Sequence, residues 1–218
     1  MAVILSERAG TGRQELIRPQ PAAGRRSRFA AGPDRAARSI GQIALFGVFG
    51  ICGALMSALI VPAYSACVRD RVRRAHGVRN LVHRIMRTCV GGMRALRLID
   101  LEIVGLARVP APGSLIVANH PSLIDALILL GHVKGAIVVA KRSLQINPFT
   151  SGAIRGADFV VNADALSLID ECRARIAAGE SLVLFPECTR TGDDGVVRLR
   201  RGAAHIAVRA GCPVTPVT

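Results

Sequence analysis

Between Ser39 and Val68 the chain carries no charged side chain. That run of about thirty residues constrains the fold more than any other feature, since about twenty apolar residues already match the hydrocarbon core of a bilayer. A cleavable leader has a different shape: a short basic start and an apolar stretch of about 7–15 residues. Here a long Arg-, Pro- and Gly-rich segment precedes a longer apolar one, so the run reads as a retained anchor. A core helix of a soluble protein is the competing account, but such helices seldom go so long without a charge. Gly41, Gly47, Gly50, Gly53 and Pro62 weaken the helix, which leaves open both a segment that crosses the bilayer and one that dips into a leaflet and returns. Arg35 and Arg38 precede the run and Arg69, Arg71, Arg73 and Arg74 follow it, so positive charge selects no orientation.

Charge and greasiness occur together. The chain has 218 residues, 29 Lys plus Arg against 15 Asp plus Glu, a net charge of +14, and half its residues hydrophobic. Nucleic-acid binders are basic and polar, and single-strand grooves need aromatic platforms. With no Trp and one Tyr this chain lacks such platforms, so no nucleic-acid partner is expected and a membrane surface is. The six cysteines form no C-x-x-C pair and none stands beside a histidine at metal-ligand spacing. Neither a metal nor a disulfide framework is expected.

Three parts follow: a basic flexible tail (1–38), a membrane anchor with an amphipathic helix (39–97), and an α/β domain (98–218). In residues 70–97, Val78, Leu81, Val82, Ile85, Met86, Cys89, Met93 and Leu96 recur at steps of three and four, while Arg71, Arg74, Arg79, Arg84, Arg87 and Arg94 supply the remaining surface. This predicts a basic amphipathic helix suited to an anionic interface; packing against the globular domain is the other account. From Asp100 onward, strands are predicted at Glu102–Leu106, Ser114–Ala118, Ala136–Ala140, Asp158–Val161, Ser181–Phe185 and Pro213–Val217. Helices are predicted at Ser122–Leu130, Asp164–Ala178 and Gly202–Ala210, with Gly179 and Gly211 as their stops. The alternation means an α/β fold, a mixed sheet flanked by helices, behind an N-terminal membrane-associated helical segment.

Three polar clusters sit at strand ends, where α/β folds build their sites. Asn119-His120-Pro121-Ser122-Leu123-Ile124-Asp125 follows the second predicted strand. His120 there is a candidate general base, with Asp125 to hold its tautomer; Ser122-x-x-Asp125 also reads as a capping box. Phe185-Pro186-Glu187-Cys188-Thr189-Arg190-Thr191 presents a carboxylate, hydroxyls and a guanidinium fork suited to phosphate. Ala140-Lys141-Arg142 offers Lys141 as an anion or oxyanion partner. Phosphate-loop, dinucleotide and nucleophile-elbow motifs do not occur in the sequence.

In this order, and followed by Arg-Gly-Ala-Ala-His-Ile-Ala and Cys-Pro-Val-Thr-Pro-Val, these clusters resemble the phospholipid/glycerol acyltransferase family, the 1-acylglycerol-3-phosphate acyltransferase type, over about residues 95–218. The resemblance implies a membrane-bound O-acyltransferase that moves a fatty acyl group from acyl-CoA or acyl-carrier protein to a lyso-lipid hydroxyl. It makes His120 and Asp125 catalytic and gives Glu187, Thr189, Arg190 and Lys141 to substrate binding. It implies no cofactor, and it implies the cell membrane with the site facing the cytoplasm. Two positions depart from the pattern: Cys188 stands where the family has glycine, and Asn162 where it has a phosphate-binding arginine. The second departure makes a lyso-lipid or glycolipid acceptor without that phosphate plausible. The rival readings are a non-catalytic peripheral protein that binds anionic lipids and a lipid thioesterase.

Overall fold

A computed structural model of the chain describes residues 2–4, 34–105, 112–119, 124–162, 164–186 and 201–217. A short strand, β1 (Ala2–Ile4), lies within the segment expected to be a flexible tail. The apolar run then folds as α1 (Asp34–Leu55), a π-helical turn (Met56–Ile60) and α2 (Val61–Cys67). Pro62 accounts for the widened turn, because its ring has no N–H for the carbonyl four residues back and collides with it. The chain absorbs this without breaking. Ser39–Cys67 remains a 29-residue helical stretch, long and apolar enough to cross a membrane, and 6% of its most apolar window is buried by protein.

Helix α3 (Arg71–Ala95) begins at Asp70, whose carboxylate accepts from the Arg73 N–H at 2.7 Å, satisfying one of the helix's orphan donors. Its apolar stripe lies inside the protein: Val78, Val82, Cys89, Val90 and Met93 are buried. Packing against the domain is therefore the account that holds for this stripe, and burying each large side chain is worth about 1.5–3 kcal/mol. Leu96, counted in the same stripe, stays 56% exposed.

Strand β2 (Glu102–Val104) pairs in parallel with β1. The main sheet has five strands, β3 (Leu115–Ala118), β4 (Ile137–Lys141), β5 (Val160–Asn162), β6 (Leu182–Leu184) and β7 (Val214–Val217), in the order β5-β4-β6-β3-β7. Every described pairing in it is parallel. The α/β fold flanked by helices is as expected, but the sheet is parallel where a mixed one was expected, because each connection between its strands carries a helix that returns the chain to the same edge. Helix α4 (Ile124–His132) joins β3 to β4, and α5 (Arg142–Ile146) and α6 (Ser151–Gly156) join β4 to β5. Helix α7 (Ala165–Ala177) joins β5 to β6, and α8 (Gly202–Ala210) joins β6 to β7. Right-handed crossovers put α4–α6 on one face of the sheet and α7 and α8 on the other. The contacts agree, since α3 packs on α4 and α6 while α7 packs on α8. Leu115, Ile137, Leu182 and Val183 are completely buried, as a parallel sheet covered on both faces requires. Gly179 and Gly211 end α7 and α8 with φ of +82° and +59°, the left-handed stop that a side chain resists.

The amino-terminal edge of this sheet is held by charge. Arg79 of α3, 3% exposed, donates from Nε to the Ala157 carbonyl at 2.7 Å and from its guanidinium to Glu180 at 2.5 Å. Arg175 of α7 reaches the other Glu180 oxygen at 3.2 Å and Asp158 at 2.7 Å. Arg71 closes the set on Asp158 at 2.8 Å. Asp158 adopts φ of 55°, a conformation Asp tolerates better than most residues. Burial alone would raise its carboxyl, but hydrogen bonds and charge from Arg71 and Arg175 outweigh burial and hold it below the usual carboxylate range. Arg175 is the mirror case: burial would lower it, and Asp158 and Glu180 raise it instead.

Candidate active site

Because all five strands run the same way, their carboxyl ends share one edge. Strands β3 and β6 are neighbours there, with Val117 level with Leu184. The connection from β3 runs across the sheet toward β4 and that from β6 runs the opposite way toward β7. Neighbouring strands whose connections diverge leave a crevice between them, the usual binding place of a parallel α/β sheet. The chain leaving β3 enters the His120 segment at Asn119, and the chain leaving β6 enters the Glu187 segment at Phe185-Pro186.

Two of the sequence-predicted site residues lie among the described ones. Asp125 is in the first turn of α4 and is 5% exposed, where the positive end of the helix favours a carboxylate. Lys141 is the last residue of β4 and immediately precedes α5, with its side chain exposed. Its register partner on β5 is Asn162, so the lysine and the amide that departs from the family pattern stand side by side on this edge. His120, Glu187, Thr189, Arg190 and Cys188 lie outside the described residues. Strand β6 separates β4 from β3, so the described topology gathers the strand ends leading to all three clusters on adjacent strands.

At the opposite edge a cleft of about 360 Å³ is lined by His76, Arg79, His132, Lys134 and Glu180 among others. Its buried charge is already paired, Arg79 with Glu180. Among described thiols, Cys172 is completely buried and pushed up to about 12, first by burial and then by the neighbouring Glu171 carboxylate. It is no nucleophile at neutral pH. Arg79 is the charged residue that sequence reasoning misplaced, counted with the surface although it falls at the same helical spacing as Ala75 and Val82.

The arrangement defines a parallel α/β sandwich in which the strands leading into these polar segments end side by side at a switch point on the carboxyl edge. The family described as Acyltransferase matches residues 100–218. The 1-acyl-sn-glycerol-3-phosphate acyltransferase of Saccharomyces cerevisiae is 27% identical over 179 residues, 75% of this chain and 59% of that one. The human 1-acyl-sn-glycerol-3-phosphate acyltransferase alpha is 29% identical over 152 residues, 66% of this chain and 53% of that one. The crystal structure of the 1-acyl-sn-glycerophosphate (LPA) acyltransferase PlsC from Thermotoga maritima superposes with a TM-score of 0.64 at 25% identity, over 81% of this chain and 73% of that one. With more than half its length matched by the family, this chain belongs to the acyltransferases. It spans 59% of the yeast relative and 53% of the human one.

Proposed function

We propose that the protein is a membrane-associated O-acyltransferase that transfers a fatty acyl group from acyl-CoA or acyl-carrier protein to the hydroxyl of lysophosphatidic acid or a related lyso-lipid. The observation that carries this reading is the adjacency of β3 and β6 at the switch point, with the buried Asp125 on the helix that follows β3. His120 takes the proton of the acceptor hydroxyl, whose oxygen attacks the thioester carbonyl carbon. Asp125 orients the imidazole and balances its charge. The oxyanion is stabilised by backbone N–H groups or by Lys141. Collapse breaks the C–S bond, the thiolate takes the proton from His120, and the new ester leaves. Glu187, Thr189 and Arg190 hold the acceptor's headgroup, beside the Lys141–Asn162 pair. The chemistry needs no cofactor and no covalent enzyme intermediate.

The anchor lies along the bilayer surface in this reading. Leu98 packs against Gly41, Leu45 against Gly92, Phe149 against Gly53 and Val61 against Gly156, so the helix touches the domain along most of its length. A helix that crossed the bilayer would drag α3 and its arginines toward the hydrocarbon, at about 2.5–3.5 kcal/mol per arginine near the centre. Lying flat costs none of that, and it leaves Ile43, Ile51 and Leu59 exposed for lipid. The membrane is placed as the cell membrane, with the site facing the cytoplasm, where both thioester donors are available.

The test is incubation of the full chain with acyl-CoA or acyl-carrier-protein donors and a panel of lyso-lipids, with product masses measured. A new ester that requires both substrates and disappears in His120→Ala supports the reading. Free fatty acid released without acceptor points to a thioesterase, and vesicle binding without any product points to a lipid-binding protein.

A further inference from the structure

Helix α5 and the turn that leads from it into α6 present apolar side chains to solvent beside the anchor helix. Leu144 is 38%, Phe149 51% and Ile146 73% exposed. Their backbone is nevertheless firmly built. Phe149 N–H donates to Asn147 Oδ1 at 2.8 Å, the Thr150 hydroxyl to the Leu144 carbonyl at 2.5 Å, and Arg155 to the Gln145 carbonyl at 3.1 Å. Each peptide group satisfied internally lowers the cost of entering a lipid phase, which is highest for an open loop.

The turn is also welded to the apolar helix. The Phe149 carbonyl sits so close to Gly53 that no side chain fits there, and the Gly152 N–H donates to Ser57 Oγ at 2.9 Å. The Phe149 ring lies against Gly50 while remaining half exposed, so the apolar surface runs without a gap from the helix onto the turn. Arg142 and Arg155 flank it, both exposed, in a chain of net charge +14. An apolar tip with a basic rim is complementary to an anionic bilayer, with hydrocarbon beneath and phosphates around it.

We infer that the α5–α6 turn is a second membrane-insertion element: Ile146 and Phe149 enter the acyl region of an anionic leaflet and Arg142 and Arg155 bind its headgroups. The inference rests on the membrane-associated reading and deepens it. Lys141, at the carboxyl edge, is five residues before Ile146, so the turn brings that edge down to where a one-tailed acceptor resides.

The chain contains no Trp, so Ile146→Trp, at an exposed position, introduces a single reporter, and Ile51→Trp on α1 serves as the reference. Each full-length variant is mixed with phosphatidylglycerol vesicles carrying brominated acyl chains. The expected result is a blue shift and bromine quenching for both reporters, stronger than with phosphatidylcholine vesicles. Ile146→Asp should weaken partitioning into anionic vesicles about tenfold while leaving transfer to detergent-dispersed acceptor unchanged. If the Ile51→Trp reporter is quenched and the Ile146→Trp reporter is not, the second insertion element is overturned and the anchor stands. If neither is quenched, the membrane reading falls with it. A blue shift of the Ile146→Trp reporter that follows protein concentration without lipid overturns the inference in favour of a second copy covering the turn. None of these signals depends on turnover, so failure of the acyltransferase reading is separately visible.

Discussion

The two edges of the main sheet divide the work of the molecule. At the amino-terminal edge, Arg79, Glu180, Arg175, Asp158 and Arg71 form a continuous ion-pair chain that ties α3 and α7 to the turns preceding β5 and β6. At the carboxyl edge, Lys141 and Asn162 stand exposed at their strand ends, beside the strands that lead into the His120 and Glu187 segments. One edge uses its charges to hold elements together, whereas the other, in the proposed function, offers Lys141 to the substrate. Charge type alone does not distinguish them; partners do.

The comparison breaks if substitutions at the two edges affect the same observable. The largest expected effect is on the carboxyl edge: His120→Ala should reduce acyl transfer by about 10²–10⁴-fold, the usual range for a positioned base, with thermal stability unchanged. Activity retained within a few fold in His120→Ala would remove the base from the mechanism. Arg79→Met should do the reverse, costing about 3 kcal/mol in urea unfolding because Glu180 and the Ala157 carbonyl lose a buried partner. Lys141→Met should lower transfer about tenfold, as loss of one charge-assisted hydrogen bond does, and leave the unfolding midpoint where it was. The smallest effect is expected for Asp158→Asn, about 1 kcal/mol. Its pH dependence is the sharper signature. The depressed carboxyl contributes stability above the unfolded value of about 3.9 and loses it as pH falls through the lower folded value. Acid unfolding curves should therefore show a stability loss below about pH 4 in the parent that is reduced in the Asn variant, whose side chain still suits the left-handed backbone.

How much of this was legible depended on whether the information is local. Helix α8 appears at Gly202–Ala210 as its periodicity predicts, and the predicted strands are present with their ends shifted by one or two residues. Asp158, read as a strand start, belongs instead to the turn ahead of β5, where its two arginine partners hold it. Helices α5 and α6 went unread because five and six residues are too few to establish a period. Strand order is non-local and could not be read at all, yet it is what makes β3 and β6 neighbours. The site clusters were legible as strand-end polar segments, and the structure places the strands that lead to them. Arg79 was misread because α3 is rich in arginine and its arginines were assigned together to solvent. Its three-residue spacing from Val82 was the signal that placed it on the buried stripe.

The opposed departures of the chain from β3 and β6 carry an evolutionary corollary. The segments that follow these strands run to helices on different faces of the sheet, α4 on one and α8 on the other, so a change of length or composition in one need not be matched in the other. If the proposed roles hold, a lineage built on this scaffold can vary headgroup preference after β6 while keeping the proton-handling segment after β3, and Cys188, which falls in the segment after β6, is a replacement of the kind such a division tolerates.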